Sequence, residues 1–385
     1  MKVSFFIFRN CFTGGVSGGD VHNADFNLWV QANKPEASVS IIHPKVDGQS
    51  GVYSDIKDVR GITYSGPVNV RSFSISFIVR AIWTLLFVRV SLIEGKKNVV
   101  ISSSHFLPDV LPALKYSFFK QKVTRVVLIH HIVQHMNRPT NINNLLALFQ
   151  EKICFAIIKK YYDKIIVVNT GVKAKLIEMG FEQQILVSAN SVGQEYFEDS
   201  VKAIADRDID VVFLGRLMPQ KGIDDFIKII QQLVLEMPQL KVVMLGTGPE
   251  YDRLKSEIVS LGLPVKMPGF VSNSRKTKIL KESKLLVFPS YEEGWGMAIA
   301  EALASGANVI AYQLPVYKEV FESNLDTVAI GDVESMSLKA IKILRGINAP
   351  NEDSSKQMSY QRNYIKKYSL NSVCSSEYDF MVGEK

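Results

Sequence analysis

Short β-branched apolar runs alternate with longer stretches of helical periodicity along this chain. In the first half the runs are Val3–Phe8, Val39–Ile42, Val99–Ile101, Val126–Ile129, Ile165–Val168 and Ile185–Val187. In the second half they are Val211–Leu214, Val242–Leu245, Leu285–Phe288 and Val309–Ala311. Runs this apolar, with no polar alternation, are strands covered on both faces, and the helical stretches between them make the sheets parallel. Right-handed crossovers then give doubly wound α/β domains. The pattern lapses between Gln194 and Asp210, a polar stretch carrying Glu195, Glu198, Asp199, Asp206, Arg207 and Asp208, which reads as a linker between two such domains. Ligands of doubly wound domains sit at the carboxyl ends of the strands, here in a cleft between the two.

Composition supports this picture. The 385 residues are 47% hydrophobic and 22% charged, enough for two full cores. The apolar start Val3–Phe8 has only a strand's length and stops at Arg9, so it reads as a strand and not a leader. The greasy region Phe73 to Ile93 is interrupted by Arg80 and Arg89 and reads as a buried helix, short of the ~20 apolar residues a span needs. Cys11, Cys154 and Cys374 have neither metal spacing nor a disulfide framework, which suits a reducing cytoplasm. The net charge of +7 favours an anionic partner. No nucleic-acid-binding motif accompanies it, so that partner is not expected to be nucleic acid.

The most informative segment is Pro289-Ser290-Tyr291-Glu292-Glu293-Gly294-Trp295-Gly296-Met297-Ala298-Ile299-Ala300-Glu301-Ala302. A strand enters a glycine turn that opens into a helix, so unpaired N–H groups gather at the positive helix end and suit a phosphate. Glu293 and Glu301, ~12 Å apart if the spacer is all helix, suit the two ends of an extended polyhydroxylated ligand better than one metal. Gly215-Arg216-Leu217-Met218-Pro219-Gln220-Lys221-Gly222 follows the strand Val211–Leu214, and its fork-shaped Arg216 and point charge Lys221 suit a diphosphate. Gly246-Thr247-Gly248-Pro249 reads equally as a binding turn or a structural one. Thr13 to Asp20 holds two glycine pairs after the first strand, and Gly18-Gly19 is favoured over Gly14-Gly15 because the helical pattern Val21 to Val30 starts there. His130 directly follows the run ending at Ile129. His131 and His135 are four apart, but no acidic residue completes a zinc motif. Asp208-Ile209-Asp210 precedes its strand and so lies at the wrong end for a cleft ligand; no metal is expected.

These segments resemble the EX7E signature and the G-R-L-x-x-x-K-G loop of family 4 retaining glycosyltransferases, which have the GT-B fold. The resemblance implies two Rossmann-like doubly wound domains facing across a cleft: residues 1–195 for the acceptor and 205–360 for a nucleotide-sugar donor. A terminal helix, about 361–385, is implied to pack back on the first. It implies transfer of a sugar to an acceptor hydroxyl with retention, with no cofactor and no metal. His130 would lie near the sugar's reactive carbon; Arg216 and Lys221 would stabilise the leaving diphosphate; Glu293 would contact the sugar and Glu301 the ribose. Gly18, Gly19, Gly215 and Gly248, the base-side Phe270 and Val271, and the backbone of Gly294, Trp295, Gly296 and Met297 would complete donor binding. A front-face reaction, in which the leaving phosphate takes the acceptor's proton, removes the need for an enzymic base. Family habit points to bacterial surface polysaccharide or lipopolysaccharide synthesis and to lipid-linked acceptors. Lys115, Lys120, Lys122 and Arg125, interleaved with Tyr116, Phe118 and Phe119, read either as a solvated helix face or as a peripheral contact with the inner membrane face. A nucleotide-sugar epimerase on the same fold and a non-catalytic partner subunit are the alternatives; intact Arg216, Lys221, Glu293 and Glu301 argue against the latter.

Overall fold

The computed structural model describes residues 2–10, 18–44, 61–64, 73–88, 92–118, 123–132, 142–197, 202–322, 324–347 and 352–383. The Gly14-Gly15 pair, Phe119, Lys120, Lys122 and His135 lie outside the described residues. The chain divides into two units, residues 1–191 with 370–385, and residues 192–369.

In the first unit seven parallel strands run β1 (Val3–Phe8), β2 (Ser38–Pro44), β3 (Gly61–Tyr64), β4 (Lys97–Ser102), β5 (Val123–Ile129), β6 (Lys164–Val167) and β7 (Gln184–Val187), in the spatial order β3-β2-β1-β4-β5-β6-β7. Every residue of β1 and β6 is buried, which is what forces the apolar runs Phe5–Phe8 and Ile165–Val167 within them. Helices α2 (Phe73–Phe87), α3 (Leu107–Ala113) and α4 (Ile142–Tyr161) pack on one another over one sheet face, around Phe8, Val100, Val127, Phe155 and Ile158. The other face is covered by α1 (Gly18–Asn33) and by α13 (Leu370–Val382), the chain's last helix, around Phe5, Phe26, Trp29 and Tyr378. Helix α5 (Thr170–Glu178) is capped by Asn169, whose side chain accepts from Val172 N at 2.8 Å.

The second unit holds six parallel strands: β8 (Ile209–Leu214), β9 (Val242–Leu245), β10 (Val265–Gly269), β11 (Ser283–Phe288), β12 (Asn308–Tyr312) and β13 (Asp326–Val328), ordered β10-β9-β8-β11-β12-β13. Its helices are α6 (Ile223–Glu236), α7 (Tyr251–Ser260), α8 (Asn273–Lys281), α9 (Met297–Ala304), α10 (Pro315–Val320), α11 (Val333–Ile347) and α12 (Glu352–Ile365). The expected linker between Gln194 and Asp210 is different in kind. Short 3₁₀ turns at Gln194–Tyr196 and Ile204–Asp206 belong to the second unit. Arg207 is buried there, donating to the carbonyls of Ser283 at 2.7 Å and Ser305 at 3.1 Å. Its polarity serves buried backbone acceptors.

The expected single helix from Tyr360 to Met381 is instead two, broken at Lys366–Ser369, with α12 in the second unit and α13 in the first. Ammonium groups from the sheet terminate α13: Lys164 Nζ donates to the carbonyls of Phe380 and Gly383, both at 2.7 Å, and Lys97 Nζ to Val382 O at 2.6 Å. Cations at a helix C-terminus satisfy its orphan carbonyls and oppose its dipole. At the other end Trp29 Nε1 donates to Asn371 Oδ1 at 2.8 Å.

Between these anchors His22 of α1 meets Glu377 of α13 at 3.0 Å, both buried. Burial works against the imidazolium, but the Glu377 carboxylate, with help from Asp25, outweighs it and holds His22 above the usual histidine range. A native pKa above the unfolded one adds stability that is complete below about pH 6.5 and is lost as pH rises through the raised value. Unfolding of the first unit, followed by the fluorescence of buried Trp29, should therefore need less denaturant as pH is raised from about 6 to 9. His22→Gln should flatten that slope; an unchanged slope would remove the pair as its source.

Candidate active site

In the second unit the chain leaves β8 toward β9 on one side and returns through α8 to β11 on the other. The order therefore reverses between β8 and β11, and the crevice at the carboxyl ends of these two strands is where such sheets bind ligands. The two loops there are the two motif segments, and the backbone holds them together. Tyr291 N donates to Gln220 O at 2.9 Å, and Ser290 Oγ to the same carbonyl at 3.3 Å. Gly222, at φ +66°, lies so close that a Cβ on it would sit 1.8 Å from Pro289 O. Only glycine permits that approach. The Gly246–Glu250 turn after β9 is strapped to the same place by Leu217 N to Thr247 O at 2.9 Å and Glu250 N to Leu217 O at 3.3 Å, so Gly248 supports the β8 loop.

Helices α6 and α9 begin at these loops, each on a left-handed glycine, Gly222 and Gly296, with no side chain capping its first N–H groups. They are not equivalent. The first turn of α6 carries Asp224 and Asp225, whereas that of α9 carries no acid. The field of α9 is thus left for an incoming anion.

Lys221 ends a 3₁₀ turn, and its Nζ reaches Glu293 Oε1 at 2.5 Å and the Glu292 carbonyl at 3.2 Å. Arg216, half-buried one turn earlier, ion-pairs with no described residue. Glu301 is the only charge on α9, which is otherwise Met, Ala, Ile and Leu and is buried from Ala298 to Ala304. A carboxylate in such surroundings needs a partner. It has one in Lys276 of α8, at 2.8 Å. The Lys276 ammonium also lies 5.6 Å from the ring centre of buried Tyr196, whose hydroxyl is pushed up by burial and by Glu301. Trp295 turns its indole inward, onto Phe321 and Tyr368, leaving only its backbone to the loop. Gly294 is exposed and Met297 half-buried at the start of α9. Gly215 closes β8 through Gly215 N to Leu245 O at 3.0 Å. Phe270, 61% exposed, and half-buried Val271 follow β10. Among the described residues no group of three His, Cys, Asp or Glu side chains could hold a metal.

Gly18, Gly19 and His130 belong to the first unit. The glycine pair opens α1. His130, half-buried at the end of β5, lines a small cavity with His22, Ser188, Asn190 and Glu377 and with the apolar Leu128, Ile129, Ile166 and Val168.

Sequence reasoning missed the brace beneath the β11 loop. Asp225 Oδ2 accepts from the hydroxyls of Tyr291 at 2.5 Å and Tyr312 at 2.7 Å. Burial opposes the Asp225 charge, but these two bonds and the Lys228 ammonium hold its pKa down, while Tyr291 is pushed up to about 12 chiefly by that hydrogen bond. No local pattern announces a contact across 66 residues. Asp225→Ala would leave the fully buried Tyr312 hydroxyl unpaired and should destabilise the second unit by about 1–3 kcal/mol. Tyr291→Phe, which leaves the Tyr312 bond intact, should cost about 1 kcal/mol or less. Denaturant titration ranks the two, and the reverse order would show that Tyr291 carries the brace.

Residues 195–363 match the family model described as Glycosyl transferases group 1. The chain is 26% identical over 138 residues to 2-deoxystreptamine N-acetyl-D-glucosaminyltransferase of Niallia circulans, covering 35% of this chain and 36% of that one. It is 24% identical over 243 residues to alpha-galactosylglucosyldiacylglycerol synthase of Streptococcus pneumoniae (strain ATCC BAA-255 / R6), covering 61% of this chain and 59% of that one. The chain thus spans between about a third and three fifths of these relatives' lengths. The structure of Anabaena Alr3699/HepE in complex with UDP and glucose superposes with a TM-score of 0.71 at 16% identity, over 100% of both chains. The chain thus has the GT-B fold of two doubly wound α/β units, and the unit that carries both motif loops is the part similar to the group 1 glycosyl transferases.

Proposed function

We propose that this protein transfers a sugar from a nucleotide-sugar donor to an acceptor hydroxyl, with retention of anomeric configuration. The observation that carries the reading is the meeting, at the β8/β11 crossover, of the loop that bears Arg216 and Lys221 with the loop that opens the uncapped α9. That arrangement suits a diphosphate flanked by sugar and nucleoside. UDP and glucose bound to the HepE structure support this donor class. Arg216 and the α9 amides take up charge as the bond from anomeric carbon to phosphate breaks. The acceptor oxygen bonds to that carbon from the same face and its proton passes to the departing phosphate oxygen. Lys221 and Glu293, paired with one another, re-pair on the donor's phosphate and sugar hydroxyls. Glu301 keeps Lys276 as its counter-charge and accepts from the ribose hydroxyls. The acceptor is a lipid-linked glycan of a surface-polysaccharide or lipopolysaccharide pathway, met at the inner membrane face. The diacylglycerol product class in the name of the pneumococcal relative supports a lipid acceptor.

A thermal-shift panel of UDP-, GDP- and ADP-sugars tests the reading. The true donor at 100 times its Kd should stabilise the protein by about 2.7 kcal/mol, and indifference to every nucleotide sugar would refute a donor site. Donor incubated alone separates transfer from epimerisation, which would release an altered sugar without acceptor.

Arg216→Ala and Lys221→Ala should each raise the barrier by about 2–4 kcal/mol with little loss of fold, since both lie on a surface loop. Turnover should survive EDTA, because Arg216, Lys221 and the α9 terminus supply the positive potential otherwise asked of a metal. Loss in EDTA restored by manganese would contradict that assignment.

The two glutamates should fail differently. Glu301→Gln should weaken donor binding by about 1.5–3 kcal/mol, seen by calorimetry. Glu293→Gln should depress turnover more than affinity, because its alignment matters most in the transition state. Normal turnover in Glu293→Gln beside a dead Glu292→Gln would shift the motif by one residue.

A further inference from the structure

The basic and aromatic segment from Lys115 to Arg125 does not form an open surface where it is described. Lys115 Nζ is taken up by the carbonyls of Val88 at 2.9 Å and Thr84 at 3.4 Å. Tyr116 is buried, and Arg125 pairs with Asp163 at 3.1 Å. A different face of the same helical layer has the character that segment lacks. On α2, Ile78, Ile82 and Leu86 recur every four residues and are exposed, Leu86 to 57%. On α4, Leu145, Phe149 and Ile153 do the same, Phe149 to 62%. Residues four apart share one helix face. Because α2 and α4 pack together on one side of the first unit's sheet, both stripes lie on the outer side of that layer.

The charges on these helices are one-sided. Helix α2 contains no acidic residue. The only acid of α4, Glu151, is buried against His105 at 3.0 Å. The exposed face of α4 passes from Leu145 and Phe149 to Lys152 and Lys160. Two apolar stripes, the α4 one continued by lysines, with no carboxylate at the described exposed positions of either helix, match an anionic bilayer surface and not water. Among the described residues no helix is long and apolar enough to cross a membrane, so the contact is with the interface.

We propose that the outer face of α2 and α4 docks the protein onto an anionic lipid bilayer. The stripes enter the headgroup boundary, and Lys152 and Lys160 contact lipid phosphates. The proposal deepens the reading of a lipid-borne acceptor and rests on it for its purpose, but its binding is measurable without any activity.

Flotation of the full-length protein with phosphatidylcholine vesicles, with and without phosphatidylglycerol, tests it. Binding should need the anionic lipid and fall with salt. Leu86→Glu/Phe149→Glu should lose at least about tenfold in vesicle binding, since charge replaces two inserted side chains. Lys152→Ala/Lys160→Ala should lose about fivefold per lysine on anionic vesicles only. Both pairs are solvent-exposed, so thermal unfolding and the nucleotide-sugar thermal shift should stay as in the wild type. If the double glutamate variant fails to fold, the lysine pair and Phe149→Glu alone decide the matter. Unchanged flotation of the folded variants would overturn the proposal. So would a wild type that ignores vesicles, or one that dimerises through this face and is monomeric in the variants. Vesicle binding that persists while no nucleotide sugar binds would refute the enzymatic reading and leave the docking face standing.

Discussion

The candidate site depends on one close approach: the loop after β8 lies directly on the loop after β11. Gly222 has no room for a side chain beside the Pro289 carbonyl, and Gln220 O accepts from both Tyr291 N and Ser290 Oγ. That contact brings Lys221 to Glu293 and sets the start of α9 beside the half-buried Arg216 loop. It is possible because β8 and β11 are neighbours at the point where strand order reverses, so two loops far apart in sequence emerge side by side.

Both glutamates of the motif are paired with lysine, Glu293 with Lys221 and Glu301 with Lys276. For Glu301 this follows from burial: a carboxylate on an otherwise apolar helix is tolerated only if paired. In the proposed binding mode Lys221 passes to the donor's phosphate and Glu293 to its sugar hydroxyls, so that pair is exchanged and not broken. Replacing one member of such a pair strands the other, so the lysines and glutamates act as units and their single substitutions will not add.

The central strands were legible because burial on both faces leaves a continuous apolar run, as in β1, β5, β8 and β11. Those missed, β3, β10 and β13, lie at sheet edges; β10 carries Pro268 and β13 has three residues. The loops with Arg216, Lys221, Glu293 and Glu301 were readable because glycine and charge stand together in sequence. Their supports were not. Asp225 meets Tyr291, Lys276 meets Glu301, and His22 meets Glu377 only after the fold has closed, and each of those acids or bases looks in sequence like an ordinary surface charge. The terminal helix failed for a related reason: the periodicity of 360–381 is helical throughout, and the break at Lys366–Ser369 comes from the chain passing from one unit to the other.

Hydrogen–deuterium exchange with and without the UDP-, GDP- or ADP-sugar that binds tests the central claim most directly. If the β8/β11 crossover holds the diphosphate, protection should concentrate in residues 215–222 and in the first turn of α9, with the β10 segment around Phe270 following as the base is held. Protection confined to the first unit, or donor binding that leaves the amides of 293–299 exchanging at their free rates, would contradict it.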